Sequence, residues 1–329
     1  MSLKLNVVAS DETDVTLTSL DDVPAGIAAV AHRVVHGGEL REPVVIDEDV
    51  ERRLQQLVEL APLHNRPAVD GIAQARRLLP GVPHVAVFDT AFHATIPAVA
   101  ATYALPERWQ KDIRRYGFHG LSVQWASERV PASRLVVCHL GGGCSVTAVR
   151  DGRSVDTTMG FTPLEGVPMA TRAGSVDPGA LLYLLRHGTA VDQLDEALEH
   201  ESGLLGLSGV SGDVEELEHA GDPAAAFALD LFAYRVAGAV ATMAVPLGGL
   251  DALVFTAGIG EHSARVRADV CAQLGFLGVE LDAERNGSAD GEGDVGADGS
   301  SVRVVVVRAR EELVAARAAR RLFRLDGDA

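Results

Sequence analysis

The sequence predicts an α/β protein, in which buried strands and helices alternate along all 329 residues. Apolar runs of strand length, such as His84–Phe88 and Leu135–His139, each end at a polar or glycine-rich segment. Other stretches have the features of helices, with acidic or capping residues first and apolar residues on one face, as in Asp47–Leu60. Because the two kinds of element are mixed throughout the chain, the α/β class is favoured.

Composition narrows the class of protein further. The chain is long enough for two domains, and its 47% hydrophobic and 23% charged residues are typical of a soluble globular protein. A net charge of −17 argues against a nucleic-acid-binding surface. The three cysteines form no CxxC pair, which favours a reducing, cytoplasmic location. The most apolar long run, 227–245, contains Asp230 and Arg235, so we expect no membrane span.

The first third of the chain is predicted to hold three strands, Leu3–Val8, Val15–Leu17 and His84–Phe88, and two helices, Asp47–Leu60 and Pro67–Leu79. The first helix opens with an acidic turn and has apolar residues at 50, 54, 57 and 58 on one face. The second ends before a Pro-Gly pair, a strong signal for a turn.

Three consecutive glycines in the stretch VCHLGGGCSVTAV, residues 137–149, indicate that the backbone approaches another group closely there. The residues after them decide between a helix and a hairpin. Ser145–Arg150 is β-branched and alternating, Asp151-Gly152 is a turn signal, and Ser154–Thr158 returns as a strand. The glycine loop is therefore predicted to join two antiparallel strands, which argues against a dinucleotide-binding turn.

The last third is predicted to alternate helices and strands again. A long helix begins at Asp222-Pro223 and ends near Ala244, and Leu253–Thr256 is a buried strand that leads into the segment AGIGEHS and a new helix. Asn286–Ser301 is rich in glycine, aspartate and serine and is predicted to be a solvated loop that contributes nothing to the core. Val302–Val307 is the last strand, and Glu311–Phe323 is the terminal helix.

Arg33 lies in HRVVHGG and is a candidate functional residue. A charged residue at the end of a half-buried strand explains its position equally well. His32 and His36 are spaced as a metal-binding pair is on a helix. The valines between them and the two glycines after them disfavour a helix, so a metal site is not expected there.

Three other residues stand at places where function is expected. Asp89 directly follows a buried strand, at the edge of a sheet where α/β proteins bind ligands, although an Asx turn or a helix cap also explains it. His119 lies between glycine and aromatic residues in YGFHG, and a packed core histidine is the alternative. Arg172 lies in a turn-rich segment that no core requires, which suggests bidentate capture of an oxyanion.

Gly258-Ile259-Gly260 follows a buried strand and opens a helix, which makes it a second place of close backbone approach. A nucleotide phosphate or ribose at this helix is the simplest interpretation. A dinucleotide fingerprint is disfavoured because Ser263 stands at its third glycine position. An NAD-linked enzyme built on this loop stays open as an alternative, but it gives no role to Arg33 or Arg172.

Together, these residues suit phosphoryl transfer. Its transition state spreads negative charge over several oxygens, which arginine, histidine, magnesium and backbone N–H groups stabilise. Seven ordered motifs also resemble those of acetate kinases over nearly the whole chain: HRVVHGG (32–38), APLHN (61–65), VFDTAFH (87–93), YGFHG (116–120), HLGGG (139–143), TPLEG…TRAG (162–174) and FTAGIGEHS (255–263).

The resemblance to acetate kinases implies two ribonuclease-H-like domains of the actin/Hsp70/sugar-kinase superfamily around a central cleft. The first domain would comprise residues 1–93, completed by the terminal helix 313–329, and the second, nucleotide-binding domain would comprise 94–312. The resemblance also implies the reversible reaction of ATP, Mg²⁺ and a short-chain carboxylate, most simply acetate, to give an acyl phosphate and ADP. A homodimer is implied as well.

Site residues carry over from the family by matching motifs. Asp89, His119 and Arg172 would be catalytic, Arg33, His64 and Arg172 would bind the substrate, and Glu311 would hold the metal. The residues expected to line ATP are Lys4, His139, Leu140, Gly141, Gly142, Gly143, Asp213, Val214, Glu215, Gly258, Ile259, Gly260, Glu261 and His262.

Several positions depart from the family pattern. Ser2-Leu3-Lys4 matches only the end of the first phosphate hairpin, from which we expect the natural chain to begin upstream of Met1. Gly142, Glu215 and His262 replace residues usual beside the nucleotide, and Ala309-Arg310 replace a Thr-Asn pair. A catalytically impaired nucleotide-binding protein is therefore the alternative function.

Overall fold

The computed structural model describes residues 5–17, 19, 22–60 and 62–325. The strands are β1 Leu5–Val8, β2 Asp14–Leu17, β3 Val30–Val34, β4 Val44–Val45, β5 His84–Phe88, β6 Arg134–Leu140, β7 Cys144–Arg150, β8 Arg153–Thr157, β9 Ala252–Thr256, β10 Gly293–Asp294 and β11 Arg303–Val306. The helices are α1 Glu48–Gln56, α2 Pro62–Leu78, α3 Ala98–Ala101, α4 Glu107–Gln110, α5 Gly120–Arg129, α6 Pro178–Arg186, α7 Val191–His200, α8 Gly203–Ser208, α9 Val214–His219, α10 Pro223–Leu247, α11 Ala257–His262, α12 Ala264–Ala272, α13 Ala283–Ser288 and α14 Glu311–Phe323. The mixture confirms the predicted α/β class.

The chain folds into two compact units. The first contains Met1–Ala94, Phe118–Trp125 and Arg310–Ala329, and the second contains Thr95–Gly117 and Ala126–Ala309. The domain boundaries expected from the sequence stay a prediction. The first unit also contains Phe118–Trp125, and therefore His119, which the sequence analysis assigned to the second domain.

The first unit contains a three-stranded sheet in the order β3-β5-β4, with β3 parallel and β4 antiparallel to β5. One side is covered by α1 and α2, whose Val50, Leu54 and Ile72 pack against Phe88 of β5. Asp47 caps α1 by accepting a hydrogen bond from the Val50 N–H. A separate hairpin of β1 and β2 contacts α14.

The second unit is built on a six-stranded sheet in the order β10-β11-β9-β6-β7-β8. β6, β9 and β11 run parallel, whereas β6, β7 and β8 form an antiparallel meander. The predicted hairpin at the three glycines is confirmed, because Leu140 pairs with Cys144 across the loop.

The long helix α10 lies against β6 and β7 of the second unit. By length and composition it is a candidate membrane span, and it is the one candidate that the described part of the chain contains. Leu229, Phe232, Val236 and Val240 are buried at helical spacing on one of its faces. That face packs into the core of the second unit.

Two predicted elements need correction. The helix predicted from residue 67 begins at Pro62, because buried Asn65 bonds the backbone of His36 and Leu57 and holds the earlier turn in place. The prediction that Asn286–Ser301 adds nothing to the core is wrong. Val295 is fully buried, and β10 in this segment pairs with β11 and forms the edge of the six-stranded sheet, so tertiary pairing overrides a loop-like composition.

Candidate active site

Arg33 and Asp89 form the centre of the site in the first unit. They stand near the carboxyl ends of the neighbouring parallel strands β3 and β5, so the register brings them together across 56 residues. Arg33 Nε donates to Asp89 Oδ1 at 2.9 Å and Nη2 donates to Oδ2 at 2.7 Å. The Asp89 side chain is 1% exposed and that of Arg33 is 39% exposed, so one charge is buried and the other reaches solvent. This bidentate arrangement fixes the plane of the guanidinium.

Glu311, the first residue of α14, binds the same guanidinium through Nη1. Desolvation lowers the pKa of Arg33, but the charges of Asp89 and Glu311 outweigh it and raise that pKa above its ordinary value. One cation is thus shared between two carboxylates that lie 222 residues apart in sequence, at positions 89 and 311. The sequence assigned these three residues to one site, and the fold brings all three together.

The two carboxylates also suit a metal ion. Magnesium in phosphoryl-transfer sites is held by one or two carboxylates, with water and substrate phosphates completing its shell. Among the described residues there is no cluster of three or more histidine, cysteine or acidic ligands. The donor set of Asp89 and Glu311 therefore fits magnesium bound jointly with a nucleotide better than a closed structural metal site.

His119 is held beside Asp89 by an unusual backbone turn. Its φ is +59°, in the left-handed region that costs a non-glycine residue about 1–3 kcal/mol. The next residue, Gly120, donates its N–H to the Asp89 carbonyl at 2.9 Å, and a Cβ added there would lie 2.2 Å from that oxygen. Strain and close packing together fix the backbone of His119, whose side chain is half-buried, next to the backbone of Asp89.

His32 and His36, which are spaced like a metal-binding pair, contact different partners. His36 is fully buried, and its Nδ1 accepts the Gly38 N–H. His32 instead stacks on His84, with Nε2 and Nδ1 2.8 Å apart. Burial, and then the charges of His84 and Arg76, lower the pKa of His32 to about 3. Both residues support the strands that carry Arg33 and Asp89.

In the second unit the glycine loop lies against the start of α11. A Cβ added at Gly141 would lie 3.4 Å from the Ala257 Cβ and 3.8 Å from the Gly258 N. Ala257 itself has a φ of +65°, and Gly142 has open space around it. Two segments predicted to line ATP, 139–143 and 258–262, are therefore neighbours.

The third predicted nucleotide segment is the start of α9. The Asp213 side chain caps this helix by accepting the N–H groups of Glu215 and Glu216, Val214 is buried in the core, and Glu215 is exposed. A bond from the Ser263 hydroxyl to Glu218 at 2.5 Å ties α9 to the residue that follows α11. The three segments thus share one end of the second unit.

Glu261 is used differently from the other residues of its segment. It is 7% exposed, and its Oε1 accepts the N–H of Ala309 at 2.8 Å. The carboxylate therefore fastens α11 to the backbone after β11, whereas the neighbouring His262 is exposed. A role in holding the segment is the one that the contacts support.

Arg172 is held in the second unit by its own loop. Its Nη1 donates to the Pro163 carbonyl at 2.7 Å. Burial raises the pKa of the Cys144 thiol to about 12, against the opposing effects of its bond to the Gly141 carbonyl and of the Arg172 charge. Cys144 directly follows the glycine loop and donates to the Gly141 carbonyl. The charge of Arg172 therefore acts on the residue that directly follows the glycine loop, and the role of Arg172 in binding a phosphoryl group stays a prediction.

Two predicted site residues lie outside what the structure describes. Lys4 precedes the first described residue, and the side chain of His64 is not described. Sequence reasoning also missed Glu199, whose carboxylate lies 3.9 Å from Arg172 Nε. No local pattern points to it, because it sits on a helix 27 residues further along the chain, between positions 172 and 199.

Comparisons with known proteins identify relatives of this chain. A model of the acetokinase family matches residues 7–317. Acetate kinase of Synechococcus sp. (strain JA-2-3B'a(2-13)) is 49% identical over 312 residues, which make up 91% of this chain and 77% of that protein. Acetate kinase of Nostoc punctiforme is 47% identical over 326 residues, 95% of this chain and 79% of that protein.

Solved structures are similar as well. A propionate kinase from Francisella tularensis superposes with a TM-score of 0.84 at 39% identity, covering 88% of this chain and 78% of that one. Acetate kinase from Entamoeba histolytica superposes with a TM-score of 0.86 at 35% identity, covering 91% and 82%. The predicted family and its α/β superfamily fold are confirmed. The chain belongs to the acetokinase family and is a phosphotransferase with a carboxyl group as acceptor.

Proposed function

We propose that this protein transfers the γ-phosphoryl group of ATP directly, in line, to a short-chain carboxylate, acetate in the first instance, and forms an acyl phosphate and ADP reversibly. The observation that carries the proposal is Arg33, held in a fixed plane by buried Asp89 and bound also by Glu311. Acetate and propionate are named in the relatives and neighbours above, and acetate recurs in both comparisons.

The chemistry explains why such a site needs arginines rather than a strong base. A carboxylate is ionised at neutral pH, so no proton has to be removed from the nucleophile. The barrier comes from bringing two anions together and from charge developing on the transferred group. Arg33 and Arg172 neutralise that charge, and His119 donates a hydrogen bond to the phosphoryl oxygens.

Asp89 orients the Arg33 guanidinium, and with Glu311 it would hold magnesium. When bound, the ion would supply positive charge that offsets the charge of the ATP phosphates. Both carboxylates are bound to Arg33, so the same guanidinium compensates their negative charges.

The nucleotide is proposed to lie against the glycine loop and the start of α11. At Gly141 the backbone is close to Ala257 and Gly258, and Gly142 is exposed, with open space where a Cβ would lie. Backbone N–H groups at glycine loops are suited to phosphate oxygens.

We also propose a homodimer in the cytoplasm. Helix α6 has the sequence PGALLYLLR and α7 follows it, yet neither helix has a buried residue within the chain. Leu182, Tyr183 and Leu184 are 48%, 59% and 42% exposed, and α6 has a single charged residue. Because the chain carries a net charge of −17, an uncharged apolar surface is the part on which two copies can meet with least repulsion. The three buried free cysteines suit a reducing compartment.

The test is turnover with ATP, Mg²⁺ and acetate, measured by coupled ADP release and by hydroxylamine trapping of the acyl phosphate. We expect both signals, equal in amount, and expect Arg33→Ala and Arg172→Ala to abolish them. Nucleotide binding without trapped acyl phosphate for acetate, propionate or butyrate would instead establish the impaired nucleotide-binding alternative.

A further inference from the structure

The backbone around Arg172 is fixed by bonds that need no acidic side chain. Ala173 N–H donates to the Leu198 carbonyl at 2.9 Å, and the Thr171 hydroxyl donates to the Glu199 carbonyl at 2.8 Å. The Met169 N–H donates to the Arg172 carbonyl at 3.0 Å. With the bond from Nη1 to Pro163, these contacts hold both the loop and the guanidinium against the end of α7.

The carboxylate of Glu199 is therefore not needed to place Arg172. Both side chains are 15% exposed, and the Nε to Oε2 distance of 3.9 Å is too long for a hydrogen bond. Within the described residues this carboxylate accepts no hydrogen bond, although a half-buried charge is costly without one. Burial raises the pKa of Glu199 above its ordinary value, against the opposing effect of Arg172.

The charges around this carboxylate leave Arg172 as its main partner. On its own helix, Asp195 repels it and His200 attracts it, both more weakly than Arg172 does. From the loop opposite, Arg172 itself interacts with Glu199 and with the Cys144 thiol. An anion that arrives at Arg172 meets a guanidinium whose charge is already partly compensated.

We propose that Glu199 is an internal competitor for Arg172, a specificity-determining carboxylate that sets how tightly this arginine binds a substrate anion. It compensates the charge of the Arg172 guanidinium and weakens the attraction of that guanidinium for a phosphate or carboxylate. The inference rests on the proposed function only in taking Arg172 as an anion-binding residue. Because the loop is held by other bonds, removing the charge of Glu199 leaves Arg172 in place and strengthens anion binding.

The experiment is calorimetric titration of sulfate, without nucleotide, into the wild type, Glu199→Gln, Arg172→Ala and the matched control Glu196→Gln, which removes an exposed charge from the same helix. Sulfate keeps its charge from pH 5 to 8, so its own titration does not contribute. We expect Glu199→Gln to bind sulfate about five- to tenfold more tightly at pH 7.5, as is reasonable for one charge about 4 Å from a half-buried partner.

The pH dependence separates a charge effect from a structural one. As pH falls and Glu199 takes up a proton, wild-type affinity should rise toward that of Glu199→Gln, so that the difference between the two proteins shrinks. Glu196→Gln should match the wild type at each pH, and Arg172→Ala should lose the binding.

Equal or weaker sulfate binding by a folded Glu199→Gln protein would overturn the proposal, as would a constant ratio between variant and wild type across pH. Sulfate binding retained by Arg172→Ala would overturn it too. Acetate phosphorylation by the wild type is measured in parallel. Turnover without the sulfate effect defeats this inference alone, and the sulfate effect without turnover defeats the proposed function alone.

Discussion

Replacement of Asp89 by asparagine tests the central pair directly. Asp89 Oδ1 and Oδ2 each accept a hydrogen bond from Arg33, at 2.9 and 2.7 Å, and the side chain is 1% exposed. Asparagine has nearly the same shape, but one oxygen becomes an NH₂ group that faces a guanidinium donor. One charge-assisted bond is lost and one donor is left opposite another donor.

The size of the effect follows from burial. A hydrogen bond to a charged group contributes about 1.5–3 kcal/mol, and removing one partner of a buried pair costs about 3–5 kcal/mol. Since Arg33 is 39% exposed and stays bound to Glu311, the loss should be smaller than for a fully buried pair. We expect Asp89→Asn to lower the free energy of unfolding by about 2–3 kcal/mol. If the same orientation is lost in the transition state, kcat falls by about 30- to 150-fold.

Two assays check this prediction. Urea unfolding gives the stability change, and the coupled ADP assay at saturating substrate gives kcat. The matched control is Asp49→Asn, which removes one partner of the exposed pair between Asp49 and Arg52 at 2.9 Å, with side chains 62% and 72% exposed. It should change stability by less than about 1 kcal/mol. If Asp89→Asn is as stable and as active as that control, the orienting role of Asp89 is wrong.

Three further outcomes are expected. Gly120→Ala should lower the melting temperature by several degrees and abolish turnover, because the added Cβ would lie 2.2 Å from a backbone oxygen. The control Gly142→Ala places its Cβ in open space and should keep the wild-type melting temperature. Burial lowers the pKa of His93 to about 4 and that of His32 to about 3, so the unfolded chain takes up protons before the folded one does. The free energy of unfolding should therefore fall as pH drops from about 6.5 toward 4, by up to about 1.4 kcal/mol per pH unit for each histidine. Urea unfolding midpoints at pH 7.5 and 4.5 measure this fall, and equal midpoints would contradict it. Tyr183→Glu should convert a dimer to a folded monomer in light scattering, and an unchanged mass would place the interface elsewhere.

The two arginines of the site are both paired with carboxylates of the chain. Arg33 is compensated by two carboxylates in one unit, and Arg172 by a longer contact with Glu199 in the other. Asp89 is almost fully buried, so Arg33 keeps that partner, while Glu199 is a partner that an anion can outcompete. We therefore expect salt and pH to affect anion binding at Arg33 and at Arg172 differently.

Much of the fold follows from local pattern. The meander of β6, β7 and β8 was predictable because the β-branched alternation of 145–150 is followed directly by the Asp151-Gly152 turn, and both signals are local. The segment 286–301 was not, because Val295 and β10 gain their order from β11, a strand that local composition does not reveal. The start of α2 was missed for the same reason, since Asn65 is held by residues of a different element.

The sequence by itself determined the family, the glycine loop, and the residue types at positions 33, 89, 119, 172 and 311, because ordered motifs are properties of the chain. Tertiary structure alone decided that Arg33 is shared by Asp89 and Glu311, that Glu261 fastens the backbone of Ala309, and that Glu199 faces Arg172. Charge interactions act through space over a few ångströms, and only folding brings residues separated by 27 to 278 positions within that range.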